Sequence, residues 1–233
     1  MTTDVLSYTL DQKVALIRMD DGKANALSVT MIDGLLSALT RAEAEASAIV
    51  LTGRPDRFCA GFDLRVMMSG PEQAKALLAR GSELLLRLYG ATVPLVVACT
   101  GHAMAGGALV VLTGDTRIGA QGAFKIGLNE VAIGLPVPVL AMEFARSRLT
   151  ASELTRATLM AQIYNPDEAV RAGYLDAVVD AEQLIDKAKE EATRLGALAR
   201  SAFRATKLRL RGGVIADIRA RMEEDMRTLM NPL

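Results

Sequence analysis

The sequence predicts an α/β fold, a sheet core followed by a helical C-terminal third, on three observations. Two alternating segments open the chain at 6–10 and 14–19, apolar strand-like runs then alternate with helical patterns as far as residue 126, and Val139 to Met230 is almost entirely helical in pattern. At 233 residues and 51% hydrophobic content, the chain can bury a full-sized core.

Leu6-Ser7-Tyr8-Thr9-Leu10 and Val14-Ala15-Leu16-Ile17-Arg18-Met19 alternate in polarity, and the turn-like Asp11-Gln12-Lys13 between them makes a hairpin. Ser28 is placed to cap a helix whose apolar positions, Met31, Ile32, Leu35, Leu36 and Leu39, follow helical spacing. Ala48-Ile49-Val50-Leu51-Thr52 is a short apolar strand ending at Gly53, so strand, helix and strand form a crossover unit. Gly53 to Arg57 reads as a polar loop. A helix from Pro71 to Leu88 leads to the next buried strand, Pro94 to Cys99, and a glycine-rich turn opens a further helix. Thr116-Arg117-Ile118-Gly119 and Ala123-Phe124-Lys125-Ile126 repeat the cycle. Asn165-Pro166-Asp167-Glu168 is a helix start, Gly173 its stop, and Ala177-Val178-Val179 the exit of that unit. Internal sequence repeats and low-complexity segments are absent from the 233 residues.

The charges cancel, 27 basic against 27 acidic, so no global field recruits nucleic acid or an anionic membrane. Ala103 to Thr113, the longest weakly polar stretch, is far short of the ~20 apolar residues of a membrane helix. The segment Met1-Thr2-Thr3-Asp4-Val5-Leu6-Ser7 lacks the basic and apolar regions of an export signal, so a cytoplasmic location is expected. Cys59 and Cys99 show no metal-ligand spacing and read as buried reduced thiols. With His102 the single histidine, no metal site is expected, and chemistry must lean on carboxylates, lysines or the backbone.

Two segments put glycine beside a strand end. In Cys59-Ala60-Gly61-Phe62-Asp63-Leu64, Gly61 permits a turn whose N–H groups leave the ladder, and Asp63 can cap the next turn. In Gly101-His102-Ala103-Met104-Ala105-Gly106-Gly107, a strand passes into a helix whose first N–H groups have no intrahelical partner. Together the turns can hold an oxyanion; each alone is more often a site of close backbone packing. Glu130 stands inside the apolar run Ile126 to Gly134. It either reaches solvent from a loop or, if buried, has a raised pKa and becomes a proton shuttle near neutral pH.

Asn25-Ala26-Leu27-Ser28, Cys59 to Leu64, Gly101 to Gly107 and Asn165-Pro166-Asp167-Glu168-Ala169 through Gly173-Tyr174-Leu175 resemble, in order, the enoyl-CoA hydratase/isomerase (crotonase) superfamily. The resemblance covers nearly the whole chain. It implies a crotonase-like ββα spiral core with the active site over 1–175 and a helical trimerisation region over 176–233. It further implies a homotrimer or dimer of trimers, an acyl-CoA thioester substrate, and no separate cofactor, CoA being part of the substrate. The oxyanion N–H donors fall by position on Phe62 and Gly106. Lys23, Ala24 and Ala26 fall where the family meets CoA, with Ala60, Gly61, Asp63 and Leu64 beside them.

Hydratases of the family use two glutamates to hold water. The first maps to Leu109, which cannot bind or deprotonate water; the second maps to Glu130. The segments Ile126 to Glu130 and Ala105 to Val110 resemble monofunctional 3,2-enoyl-CoA isomerases, and Gly134-Leu135-Pro136-Val137-Pro138-Val139 replaces the hydratases' glycine-rich stretch, so the distal pocket is expected to be apolar. The resemblance thus implies a 3,2-enoyl-CoA isomerase with Glu130 as proton shuttle. The alternatives are a 2-enoyl-CoA hydratase with another acid, such as Asp63, and a catalytically silent CoA-binding scaffold. Asp63 reads as a structural cap and His102 as a packing histidine. Arg54, Arg57 and Arg65 read as solvated loop residues or partners of CoA phosphates. Lys207 to Arg211 is placed on a helix face from which a neighbour's CoA is within reach in a trimer, and the tail after Gly212-Gly213 is short, which leaves room for a different pocket lid.

Overall fold

The computed structural model describes residues 2–3 and 5–230, so Met1 and Asp4, on which the export reading partly rests, lie outside the described residues. β1 (Thr2–Thr3) pairs with β2 (Leu6–Asp11), which forms the expected hairpin with β3 (Val14–Met19). The loop is tighter than expected: only Gln12 and Lys13 lie outside the strands, both at positive φ (46° and 67°), the turn sense that matches strand twist. α1 (Val29–Glu45) starts where Ser28 Oγ accepts the Met31 N–H at 3.2 Å, and buries Met31, Ile32, Leu35 and Leu39 on one face.

The chain then runs β4 (Ala48–Thr52), β5 (Asp56–Cys59), α2 (Leu64–Met67), α3 (Pro71–Tyr89), β6 (Leu95–Cys99), β7 (Gly101–Met104), α4 (Gly106–Thr113), β8 (Thr116–Ala120) and β9 (Ile126–Gly127). It continues through a 3₁₀ turn (Val131–Ile133), α5 (Val139–Arg148), α6 (Ala151–Thr158), α7 (Pro166–Ala172), β10 (Ala177–Val179), α8 (Leu184–Gly196) and α9 (Arg200–Met230). The large sheet has the order β1-β2-β3-β4-β6-β8-β10, parallel from β3 onward. A second sheet has the order β5-β7-β9.

β4, β6 and β8 each pass the chain to one strand of the small sheet before helices return it to the large one. This strand-strand-helix spiral is the crotonase fold. Its repetition lies in the backbone path, with no matching repeat of residues.

Both faces of the large sheet are covered, which is why β4 and β6 are buried at every position. Ile49, Leu51, Leu95 and Val97 face the main core; Ala48, Val50, Val96 and Ala98 pack with Ala188 and Ala192 of α8. The capping box at Asn165 and Glu168 and the left-handed Gly173 bound α7 as expected.

Three expectations change. The polar loop at 53–57 contains the start of β5, and the glycine turn at 101–104 is β7, because Asp56, Arg57 and Cys59 pair with Gly101, His102 and Ala103. Of Ala123 to Ile126 only Ile126 is in a strand; Lys125 meets β7 through its carbonyl, which accepts the Ala103 N–H, and its N–H, which donates to His102 Nδ1. Third, Lys207 and Arg211 do not reach outward. They are 6% and 4% exposed and pair with Asp115, while Leu208 and Leu210 face solvent at 69% and 73%. A buried carboxylate attracts the two cations spaced one helical turn apart more strongly than the apolar interior attracts the leucines between them.

Candidate active site

The two glycine turns meet. Gly61 has φ +94°, and a Cβ there would lie 3.0 Å from the Met104 carbonyl oxygen and 3.2 Å from Gly106 N. A Cβ on Gly107 would fall 2.0 Å from the Cys59 carbonyl oxygen, so only glycine lets the start of α4 lie directly on the 59–62 turn. Ala105, at φ 49°, turns the chain into α4 without a side-chain cap. Neither the Phe62 nor the Gly106 N–H donates to a backbone acceptor among the described residues. α4 is buried along its length, so its N-terminal partial positive charge acts in a low-dielectric setting.

Residues 24–27 run beside this turn. The Ala60 N–H donates to Ala24 O at 3.0 Å, the Leu27 N–H to Gly61 O at 2.8 Å, and the Asp63 N–H to Leu27 O at 3.4 Å. Asp21 holds the segment from below: its Oδ1 accepts the Lys23 and Asn25 N–H groups and its Oδ2 that of Ala26. Lys23, Ala24, Ala26, Ala60, Gly61, Asp63 and Leu64 are thereby gathered around one stretch of backbone. The Lys23 side chain is exposed and its carbonyl accepts from Arg54 Nη1 at 3.0 Å.

Asn25 is the bolt of this arrangement, a role its sequence position did not disclose. It is fully buried at φ 54°, and its Nδ2 donates to the carbonyls of Met19, Arg57 and Phe58 at 3.0, 3.0 and 3.2 Å. Asn25→Ala strands those carbonyls and puts a poorly suited residue in the left-handed region. Equilibrium urea unfolding is expected to show a loss of roughly 2–4 kcal/mol.

Glu130 is buried, at 8% exposure. Desolvation raises its pKa above the ordinary carboxylate range, opposed only by nearby backbone N–H groups, and Oε2 has no hydrogen-bond partner among the described residues. Its own carbonyl accepts the Ile133 and Leu135 N–H groups, which clamps the loop. Three residues earlier, Gly127 O accepts the Ala105 N–H at 2.9 Å, tying this segment to the turn that opens α4. Tyr174 packs nearby: burial holds its phenol above the usual range, with the Glu130 carboxylate contributing.

A narrow cleft opens beside Phe62, and its lining includes Leu109, Pro138, Leu140, Met222 and Met226. The lining is mainly apolar. Glu130 is not among the lining residues; Asp225 is, with its Oδ2 accepting the Val139 N–H at 2.9 Å. α9 therefore supplies one wall, and its part was legible in the spacing of Ile218, Met222 and Met226 at steps of four.

Asp63 does cap α2: it accepts the Arg65 N–H, and hydrogen bonding from the Arg65 side chain holds its carboxyl below the usual range. It is committed to structure. His102 accepts the Lys125 N–H on Nδ1 and sets its ring edge-on to Phe124, with burial lowering its pKa. Cys59 and Cys99 are buried free thiols, both pushed up to about 12 by desolvation. Among the described residues no helix is long and apolar enough to cross a membrane, and no cluster of acidic, histidine and cysteine side chains could hold a metal.

Residues 9–231 match the family model for enoyl-CoA hydratase/isomerase. The chain is 30% identical over 223 residues to human mitochondrial enoyl-CoA delta isomerase 1, covering 94% of this chain and 74% of that protein. It is 28% identical over 214 residues to the crotonyl-CoA hydratase of Syntrophomonas wolfei, covering 89% and 82%. A solved enoyl-CoA hydratase/isomerase family protein from Pseudomonas syringae superposes with a TM-score of 0.94 at 39% identity, over 97% of this chain and 98% of that one. Isomerase and hydratase thus stand side by side among the relatives, and the shared fold and motifs establish that this chain belongs to the enoyl-CoA hydratase/isomerase family.

Proposed function

We propose that the chain is a 3,2-enoyl-CoA isomerase. The observation that carries this reading is the pairing of one buried carboxylate, Glu130, with Leu109 at the position where a water-adding relative needs a second acid. Leu109 is 3% exposed and borders the apolar cleft, so nothing at that position orients water.

In this mechanism Glu130 removes a proton from C2 of a 3-enoyl thioester. The C–H electrons delocalise over the thioester carbonyl and the C3–C4 double bond as a dienolate, whose oxygen the Phe62 and Gly106 N–H groups stabilise. Each donor contributes roughly 3 kcal/mol to lowering the barrier. Glu130 then returns the proton to C4, leaving the double bond between C2 and C3. No water is consumed. The substrate is an acyl-CoA thioester, no further cofactor is needed, and a homotrimer or dimer of trimers is the expected assembly.

The test gives purified protein 3-hexenoyl-CoA and 2-butenoyl-CoA in parallel. Rapid conversion of the first to the 2-enoyl product, with slow hydration of the second, is expected. Strong hydration of 2-butenoyl-CoA with little isomerisation overturns the assignment in favour of a hydratase. Binding of both esters without reaction favours a silent scaffold.

A further inference from the structure

Gly81 sits in the middle of α3, where neither a turn nor a cap calls for glycine, and an isolated glycine inside a helix weakens it. Its surroundings supply the reason. A Cβ at Gly81 would lie 2.1 Å from Phe62 Cε1 and 2.6 Å from Cζ, well inside van der Waals contact. The opposite edge of the same ring faces a second glycine: a Cβ on Gly106 would lie 3.2 Å from both Phe62 Cδ2 and Cε2, and 3.3 Å from Leu27 Cδ1. The Phe62 ring is wedged in a slot between α3 and α4 with glycine on both walls. Retreat from a methyl group on α3 along the line between the two glycines presses the ring on the first residue of α4. Both residues that border the ring on the α4 side belong to the oxyanion turn, since Gly106 is one proposed donor and Leu27 bonds the backbone on either side of Phe62.

We propose that Gly81 is a positioning residue for the oxyanion site: its missing side chain sets where the Phe62 ring lies, and through the ring where the Phe62 and Gly106 N–H groups point. The proposal rests on those two N–H groups being the oxyanion donors. It involves no contact between Gly81 and substrate. Displacing a preorganised donor by a fraction of its hydrogen-bond length weakens stabilisation of developing charge while leaving CoA contacts intact, so the effect falls on kcat more than on KM.

The test is a double-variant cycle of Gly81→Ala and Phe62→Leu, read in two ways. The first readout is kcat and KM on 3-hexenoyl-CoA. The second is the near-ultraviolet enolate band of bound acetoacetyl-CoA, which reports oxyanion stabilisation without any turnover. Gly81→Ala alone is expected to lower kcat by about tenfold or more, move KM by less than about threefold, and reduce the enolate band. In the Phe62→Leu background, where the narrower side chain clears the methyl, the same substitution is expected to change kcat and the enolate band by less than about twofold. Equal losses in both backgrounds, or an unchanged kcat and enolate band in Gly81→Ala, overturn the proposal. If Gly81→Ala does not fold, the double variant is compared with Phe62→Leu alone: matching enolate bands support the slot, and a weaker band in the double variant overturns it. A wild-type protein that enolises acetoacetyl-CoA without isomerising 3-hexenoyl-CoA sinks the isomerase reading while the cycle still decides the role of Gly81. A wild type that forms no enolate overturns the slot proposal itself.

Discussion

Glu130→Gln is expected to lower 3-hexenoyl-CoA isomerisation by about 10²- to 10⁴-fold, the usual contribution of a positioned acid–base group, with KM little changed. Glutamine keeps the shape and hydrogen-bonding length of the side chain but cannot take the C2 proton. The pH profile of the wild type is set by burial. In the proposed mechanism Glu130 must start ionised, and desolvation raises its pKa, so kcat/KM is expected to fall on the acid side at a pH above the ordinary carboxylate range. The same shift has a stability consequence of opposite sense. A carboxyl whose folded pKa exceeds its unfolded value of 4.5 contributes stability that is fully present below that value and lost as pH rises through the folded pKa. Ionising the buried carboxyl is therefore a cost, and at pH 7 Glu130→Gln is expected to melt no lower than wild type. Stopped-flow or coupled assays against pH, together with calorimetry at pH 7, check both halves. Near wild-type turnover by the glutamine variant would place the proton shuttle elsewhere.

Asp115→Ala is expected to destabilise the fold by about 3–5 kcal/mol, because it leaves two buried cations without their partner. Asp115 Oδ2 receives Lys207 Nζ at 2.7 Å and the Leu95 N–H at 2.8 Å, while Oδ1 receives Arg211 Nη2 at 2.8 Å. Around it, Arg211 donates to the Tyr89 and Thr113 carbonyls and Arg148 to those of Leu112 and Gly114, so the guanidinium groups also satisfy the C-terminal carbonyls of α4 and meet the negative end of its dipole. By contrast the exposed Arg41–Glu45 pair, at 44% and 36% side-chain exposure, is worth under about 1 kcal/mol.

The pH dependence separates the two kinds of pair. Burial outweighs Asp115 and holds the Lys207 ammonium at about 8, below its usual 10.5. A base with a lowered folded pKa costs stability while it is charged, so this cost is full below about 8 and is relieved as pH rises toward 10.5. Removing Asp115 leaves the ammonium unopposed, and the relief is expected to begin at lower pH. Guanidinium unfolding from pH 6 to 10 measures both effects, and a loss under about 1 kcal/mol at pH 7 would reduce this cluster to a surface-type pair. Because Met222 and Met226 of α9 line the cleft, loosening this anchor is also expected to weaken binding of longer acyl chains.

Much of the fold was legible in local pattern. The hairpin, the Ser28 cap, the crossover strands and the α7 capping box depend on residues within a turn or two of one another, where propensity and periodicity act directly. The two glycine turns and Glu130 were legible for the same reason. The small sheet was not. β5 and β7 are four residues each, open with Asp56 and Gly101, and exist because backbone groups 45 residues apart complete each other's hydrogen bonds. Nor was the inward turn of Lys207 and Arg211, since a Lys-Leu-Arg-Leu-Arg run presents its leucines as the apolar positions until Asp115 arrives from 92 residues away.

By itself, then, the sequence determined which residues are available to the proposed chemistry: one glutamate in an apolar run, glycines at two strand ends, and leucine at the position where the resemblance to water-adding relatives implies a second acid. Tertiary structure alone decided their environment. Burial of Glu130, contact between the Gly61 and Gly106 turns, the bolt at Asn25 and the slot around Phe62 all depend on segments distant in the chain. A pKa shift or an oxyanion site is a property of what surrounds a group in space, and local residue pattern does not contain it.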